Sequence, residues 1–387
     1  MLQRSSLKTH SHTIDFCIRD FDKMPGHVVL TVVTDFMSFP SLGVVVVSFN
    51  AADVILDCLD SLLAAPDVIL NIVVVDNAST DGSADLVRAW AAGQAPSRSG
   101  PDLPFSLKRS APTLPLQTRV PATPGRSVVT LLEAGENGGF AAGVNIGLAA
   151  LHACPALDRF WVLNPDCVVP PQTPALLARH APPGGAFSLM GGRVRYVHDP
   201  DQVQSDGGVF NRRSGVTSNV NRGHSHLRTP APDVAMLDFI SGANMVASRA
   251  FYDQAGPMPE DYFLYYEEVD WALRRGNLPL ALCPGADVFH HTGTAIGSAT
   301  SARIASPFAV YFMYRSRMRF VRRHLPGQAL YARIYALAKA GQLLLQGYRE
   351  HAAAIWAAVI TGRVPARVRA RLSPEAAKRA FSPLAGR

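Results

Sequence analysis

The chain has 387 residues, 48% of them apolar and 17% charged. That is enough to bury a large core in one big domain with additions, or in two, and it excludes a chain disordered throughout. The net charge of +7 is uneven: from Arg315 onward fifteen Lys or Arg face two Glu, a local +13 that leaves −6 for the rest.

Such asymmetry points to a polyanionic partner for the C-terminal part, an anionic membrane face or nucleic acid. The five cysteines (Cys17, Cys58, Cys154, Cys167 and Cys283) have no metal-ligand or redox spacing. They fit free thiols in a reducing compartment. No secretory apolar region and no run of about 18 apolar residues occurs, so a cytoplasmic chain without a spanning helix is expected.

Residues 1–42 show no clear period and are read as an N-terminal extension without assigned function. Gly43 to Phe49 (GVVVVSF) is a continuous β-branched run, the pattern of a fully buried parallel strand. Apolar residues at helical spacing follow over Asp53 to Leu63. A second buried strand, Ile72 to Val75, ends in Asp76-Asn77-Ala78-Ser79-Thr80-Asp81-Gly82-Ser83. Ala84 to Trp90 reads as the next helix, with Ser83 as its N-cap. This alternation predicts an α/β doubly wound sheet that binds ligands at the carboxyl ends of its strands. Asn50 and Asp76 stand at two such ends, where an acidic side chain can accept hydrogen bonds from ribose hydroxyls or a base imide. Helix capping or an Asx turn explains Asp76 equally well.

Residues 93–127, rich in Pro, Ser and Arg, read as a flexible surface insertion before a third strand, Val128 to Leu132. A Gly-rich stretch from Glu136 to Asn145 then runs into a helix over Ile146 to His152. Its glycines permit close backbone approach, and a helix N-terminus favours negative charge. Phe160 to Val169 (FWVLNPDCVV) delivers Asn164-Pro165-Asp166 to a strand end. A carboxylate there suits Mg²⁺ or Mn²⁺ and, through the cation, a diphosphate. An Asx-Pro turn accounts for the same letters.

The ordered set SFN, VVVDNASTDGS, ENGGFAAGVNIG and WVLNPD resembles the family 2 glycosyltransferases. The resemblance implies a GT-A nucleotide-sugar fold with a mostly parallel central sheet over residues 43–325. It implies a nucleotide-sugar half at about 43–170, an acceptor half at about 171–325, and a C-terminal helical region, 326–387. Asn164-Pro165-Asp166 stands at the family's Asp-x-Asp metal motif, with Asn first as in its rhamnosyltransferase-like branch. The implied donor-binding residues are Ser48, Asn50, Asp76, Asn77, Asn137, Phe140, Asn145 and Asn164. Asp166 and His290 are the implied metal ligands, with His291 close behind.

Further on, an aromatic run precedes Tyr266-Glu267-Glu268-Val269-Asp270-Trp271. Three acids at a helix start are tolerated by the helix dipole, or one of them is a general base for an acceptor hydroxyl. The resemblance selects Glu268, where the family has Asp, with Asp270 second. Asn244, Glu267 and Trp271 are the implied acceptor contacts. Tyr311 to Arg317 is similar to a Tyr-Tyr-x-x-Arg-Asn block, with Ser316 in place of Asn.

From Leu325 the pattern is helical and amphipathic, with Leu330, Ile334, Leu337, Leu344 and Leu345 among cations, then an Arg-rich tail. It suits either an interfacial helix on an anionic bilayer or a bundle packed on the domain. No recognition motif supports nucleic acid. The combined expectation is an inverting, metal-dependent glycosyltransferase of cell-surface polysaccharide or glycolipid assembly. It would act at the inner face of the cytoplasmic membrane. Its donor would be a dTDP- or UDP-sugar, rhamnose first and galactofuranose or another hexose second, and its acceptor a glycan or a lipid-linked glycan. A sugar-nucleotide nucleotidyltransferase would instead need a Gly-rich loop with Arg and Lys after the first strand, which Ser48-Phe49-Asn50-Ala51 lacks.

Overall fold

The computed structural model describes residues 4–9, 12–17, 39–96, 98–109, 112–123, 125–291 and 304–381. The chain divides into Met1–Phe39 and Pro40–Arg387. In the first unit, strands β1 (Arg4–Thr9) and β2 (His12–Cys17) pair antiparallel, Arg4 opposite Cys17. The rest of this subsection concerns the second unit, which holds the C-terminal helices as well as the predicted catalytic domain.

Its main sheet begins with β3 (Ser41–Ser48), helix α1 (Ile55–Leu63), β4 (Ile69–Asp76), helix α2 (Ser83–Ala91) and β5 (Val128–Glu133). Helix α3 (Phe140–His152) leads to β6 (Arg159–Leu163). The valine run of β3 is buried on both faces. Val45 and Val47 pack into the core on the α3 side, whereas Val44 and Val46 pack with α1 and α2. That double burial is why the sequence shows no alternation. Strands β3, β4, β5 and β6 are mutually parallel.

Beyond β6 come β7 (Cys167–Val168), α4 (Thr173–Arg179), β8 (Leu189–Gly191), β9 (Val194–Tyr196), β10 (Val203–Ser205), β11 (Gly208–Phe210) and β12 (Thr217–Asn219). Strand β13 (Asn244–Ser248), α5 (Arg249–Ala255), α6 (Glu267–Leu273), β14 (Ala281–Leu282) and β15 (Val288–His290) follow. The seven-stranded sheet runs β14-β8-β13-β6-β3-β4-β5, with β13 alone antiparallel to its neighbours. A smaller sheet, β10-β9-β15-β7, lies after the β6 strand end.

Several local expectations shift. Ser83 is not the cap of α2; Gly82, in the left-handed region, holds that place. The Ser83 hydroxyl instead accepts from the Ala51 amide at 3.0 Å. Helix α3 starts at Phe140, six residues earlier than predicted, because its glycines and Asn145 pack rather than break it. The 93–127 insertion has little regular structure but is pinned: Arg109 pairs with Asp57 at 2.9 Å, and Arg98 with Asp60. Cys58, Cys154, Cys167 and Cys283 are free and buried.

Helix α7 (Pro307–His324) packs Phe308, Phe312 and Phe320 into the core. After it come α8 (Ala329–Leu345), α9 (Arg349–Trp356), α10 (Ala366–Arg369) and α11 (Pro374–Ala380). On α8 the packed stripe is Ala332, Ala336, Ala340 and Leu343. The larger residues lie outward: Leu330 is 71% exposed and Leu345 92%, with Ile334, Leu344, Trp356 and Ile360 about half exposed. Among the described residues no helix is long and apolar enough to cross a membrane.

Candidate functional site

Two strand pairings in the small sheet bring distant sequence together. Strand β15 lies antiparallel to β7 with His290 opposite Cys167, and the His291 amide donates to the Asp166 carbonyl at 3.0 Å. His290 Nε2 then sits 3.0 Å from Asp166 Oδ1 and 3.3 Å from Asn164 Nδ2. On its other side His290 Nδ1 donates to Gln204 Oε1, 3.0 Å away on β10. With that proton on Nδ1, Nε2 faces the carboxylate oxygen, and both atoms are acceptors unless a second ring proton sits on Nε2. Two acceptors at this distance call for a proton or a cation between them. Burial alone would raise the Asp166 carboxyl, but the charge and hydrogen bond of His290 outweigh it and hold it below the usual range.

Asp166, Cys167 and His290 present donor atoms all within 4.8 Å of one another. One carboxylate and one imidazole suit a divalent cation that takes its remaining ligands from water or phosphate. Cys167 does not fit that role. Burial pushes its thiol well above the usual range, and its Sγ–H is turned to the Ala243 carbonyl at 3.5 Å.

The strand ends of β3, β4 and β5 form the next wall. The Asn50 side chain accepts from the Thr80 amide at 2.8 Å, and Asp76 Oδ2 accepts from the Ser79 amide at 3.0 Å. Asp76 Oδ1 and the Ser48 hydroxyl are buried without a partner among the described residues. Such groups are costly unless a ligand meets them. Asn77 Nδ2 donates to Asn137 Oδ1 at 3.2 Å and to the Gly139 carbonyl at 3.0 Å, so it shapes the Gly-rich turn. Gly139 has φ +89°, and a Cβ there would lie 2.3 Å from the Phe263 carbonyl oxygen. Only glycine allows that approach. It lets the Phe140 amide donate to the same oxygen at 3.0 Å.

That contact joins the turn to the loop before α6. Phe263, Tyr265 and Tyr266 all have φ between +66° and +73°. Positive φ at three bulky aromatics is strained and persists only where packing over-determines it. Here the Ser316 hydroxyl of α7 reaches the Leu264 and Tyr262 carbonyl oxygens, at 2.8 Å and 3.3 Å. The Tyr266 hydroxyl donates to the Gly215 carbonyl at 2.8 Å. The strained loop delivers both Glu267 and Glu268 to the cleft, where Asn164, Asp166 and His290 also lie. Burial raises Glu268 to about 7. Burial and the neighbouring Glu268 charge push Glu267 well above its ordinary value. The Glu267 Oε2 atom has no partner among the described residues.

Residues 43–100 match the family model described as Glycosyl transferase family 2. That stretch is similar to the family 2 glycosyl transferases. Two curated relatives extend the likeness. The low-salt glycan biosynthesis hexosyltransferase Agl10 of Haloferax volcanii is 25% identical over 193 residues, 48% of this chain and 58% of that protein. The N-acetylglucosaminyl-diphospho-decaprenol L-rhamnosyltransferase of Mycobacterium tuberculosis is 28% identical over 207 residues, 46% of this chain and 64% of that protein. The chain thus spans about three fifths of the curated relatives it matches. Among solved structures, a mannosyltransferase from Pyrobaculum calidifontis in complex with GDP-Man and Mn²⁺ is similar, at 18% identity and a TM-score of 0.47. That match covers 85% of this chain and 78% of the other.

Of the expected site residues, Ser48 and Asp76 lie behind the cleft walls, Asn50 lines only the neighbouring cavity, and four others are held in contacts away from the cleft. Asp270 is fully buried. It accepts from Tyr262 Oη at 2.7 Å, Arg274 Nε at 2.9 Å and Arg323 Nη1 at 2.7 Å, and His324 Nε2 lies at 3.0 Å. Desolvation opposes its ionisation, but these partners together hold its carboxyl far below the usual range. It ties α6 to α7. Asn145 is spent on Met258 and Glu260, donating to the Met258 carbonyl and accepting from its amide, each at 2.8 Å. Asn244, the first residue of β13, is buried, its Oδ1 accepting from Trp161 Nε1 at 2.9 Å. Trp271 is a core residue whose Nε1 donates to the Gly256 carbonyl at 2.9 Å. Conversely, Gln204, Arg222, Met313, Arg371 and Leu372 line the cleft without having been predicted. Gln204 had no local signal: it stands on β10, one strand removed from β15, and its side chain reaches His290 across β9.

Proposed function

We propose that the protein is an inverting glycosyltransferase of the GT-A type that moves a sugar from a nucleoside diphosphate to a glycan or lipid-linked acceptor. The observation that carries this reading is the convergence of Asp166 and His290 with Glu267 and Glu268 in one cleft of about 420 Å³. Asp76 Oδ1 and the Ser48 hydroxyl, buried at the strand ends with hydrogen-bonding capacity to spare, meet the ribose and base once a donor opens the way, with Asn50 holding the loop between them. Asp166 and His290 would hold Mg²⁺ or Mn²⁺, which when bound offsets diphosphate charge and eases its departure. Glu268 takes the acceptor hydroxyl proton as that oxygen bonds to the anomeric carbon. The bond from that carbon to the phosphate oxygen breaks on the opposite face, its electron pair leaving with the nucleoside diphosphate. Glu267, kept protonated, donates a hydrogen bond into the same space.

Rhamnose, from dTDP- or UDP-rhamnose, is the first choice of sugar, in line with the mycobacterial relative's name. The Haloferax relative, named a hexosyltransferase, supports another hexose as the second. The outward apolar residues of α8 and Trp356, flanked by Arg333, Lys339 and Arg349, suit peripheral contact with an anionic lipid face.

A donor screen that follows nucleoside diphosphate release tests the activity. Wild-type protein turns over at least one donor with Mn²⁺ or Mg²⁺, and Asp166→Ala or excess chelator abolishes it. Full turnover in chelator would remove the cation from the scheme. The lipid contact is checked separately by sedimentation with vesicles: binding to acidic ones falls as salt rises. Equal binding to neutral vesicles would count against it.

A further inference from the structure

The C-terminal segment after α9 lies across the strand ends. Its far end is anchored by Phe381, whose ring stacks on Phe312 at 5.8 Å and 20° and meets Tyr311 edge-on at 5.9 Å. Val368, Ala376, Ala377 and Ala380 are buried beneath it. Arg379 pairs with Glu136 of the Gly-rich turn at 2.8 Å and with Glu260 of the loop before α6 at 3.3 Å. The fit against the turn is close: a Cβ on Gly138 would lie 2.8 Å from Arg379 Nη1. A side chain there would have to displace the guanidinium.

This strap divides two cavities. One is the catalytic cleft with Asp166 and His290. The other, of about 380 Å³, is walled by Asn50, Ala78, Thr80 and Glu136 at the ends of β3, β4 and β5. Arg371 and Leu372 line both. A nucleoside diphosphate sugar laid from the strand ends to Asp166 therefore passes these two residues. The Arg371 guanidinium lies 4.9 Å from the Phe308 ring, with Nη1 3.5 Å from Ser306 Oγ, so the start of α7 sets its place. Glu136 and Asp166 stand on the walls of this path, and Asp76 lies buried behind it at the end of β4. A diphosphate among those acids needs a cation beside any bound metal, and a guanidinium fork matches phosphate oxygens.

We propose that the C-terminal strap completes the donor site, with Arg371 held against the diphosphate and Leu372 against the nucleoside. This rests on the reading of the strand ends as a nucleoside diphosphate site. The proposal makes the far C-terminal region part of donor recognition, in addition to any lipid contact by α8.

The test uses full-length protein with Mn²⁺ and calorimetric titration of UDP, dTDP, uridine and thymidine. For the diphosphate that wild-type protein binds, Arg371→Ala weakens binding by about tenfold or more, the scale of a lost charged hydrogen bond. Binding of the matching nucleoside changes by less than about twofold, and Arg371→Lys recovers part of the loss. Leu372→Asp weakens nucleoside and diphosphate alike. Thermal midpoints identify any variant that fails to fold, in which case Arg371→Lys and Arg371→Gln carry the comparison. If wild-type protein binds a diphosphate and the Arg371 variants bind it equally well, the proposal is overturned while the strand-end reading stands. Equal loss of nucleoside and diphosphate in the Arg371 variants also overturns it, since it would mark a purely structural role. If wild-type protein binds neither diphosphate, the strand-end reading falls and the strap assignment falls with it.

Discussion

The two sides of helix α6 carry carboxyls in opposite states. On the cleft side, Glu267 and Glu268 have lost water and gained no cation, and both are raised, Glu268 to about 7. On the inner side, two or three residues later, Asp270 is buried even more completely yet is driven the other way by His324, Arg323, Tyr262 and Arg274. Burial is common to all three, so partners decide the sign. A carboxyl left unpaired at a cleft is poised to exchange a proton. One enclosed by cations is a structural anion and a poor base.

The largest expected effect breaks the cleft side. Glu268→Gln keeps size and most hydrogen bonding but cannot accept the acceptor proton, so kcat falls by roughly two to four orders of magnitude. Donor affinity, measured by calorimetry, stays near wild type. In wild-type protein kcat/KM rises with pH through about 7, where Glu268 loses its proton, and that limb disappears from the residual activity of the variant. Stability runs opposite to activity. The Glu268 folded value lies above its ordinary 4.5, so its contribution is fully present below that value and is lost as pH rises through about 7. Glu268→Gln should therefore unfold at a higher temperature than wild type at pH 8, while the two converge near pH 4.

Next in size is the inner side. Asp270→Asn leaves Arg323, Arg274 and His324 without their shared anion. The expected loss is about 2–3 kcal/mol, the low side for a broken buried pair because both arginines reach solvent. It is read as a lower thermal midpoint at pH 7, with donor binding per folded molecule unchanged. The folded value of Asp270 is depressed below its ordinary 3.8, so its stabilisation is present above that pH and is lost as pH falls through the folded value. Wild type and variant should then draw together in strong acid. A variant of wild-type stability that has lost turnover with donor binding intact would make Asp270 the base and reverse the comparison.

This contrast could not be read from the chain alone. Glu267, Glu268 and Asp270 are nearly adjacent letters, and what separates them arrives from Arg323 and His324 more than fifty residues later. The strands were legible because double burial writes itself as unbroken valine runs, and their ends carry the polar residues. Asp166 and His290 were legible through motifs, and strand pairing explains their meeting. Asn145 and Asn244 misled for the converse reason: a polar letter within a motif looks the same whether it faces a ligand or ties down a loop. On α8 periodicity marked an apolar face, but the leucines point outward while small alanines allow close packing. Arg371 had no local signal, since its place depends on a turn more than two hundred residues earlier.

The smallest expected effect is the finest test of the cleft side. Glu267 and Glu268 share the cleft, and two carboxylates side by side cannot both ionise cheaply. Glu267 is the more buried of the two, and the Glu268 charge adds to its desolvation, so of the pair it holds its proton the more tightly. A neutral carboxylic acid and a carboxamide have nearly the same shape, and both donate a hydrogen bond. Glu267→Gln therefore imitates the state Glu267 already holds, and kcat at pH 7.5 should stay within about fivefold of wild type, far from the scale of base removal. Glu267→Ala is expected to be worse, because it removes the donor and leaves a void beside Glu268. Measuring both glutamine variants side by side decides the order of the pair. Near-normal turnover in Glu268→Gln with loss in Glu267→Gln would mean that the more buried carboxyl ionises first. The strained Tyr265–Tyr266 loop would then be aiming the other side chain at the acceptor.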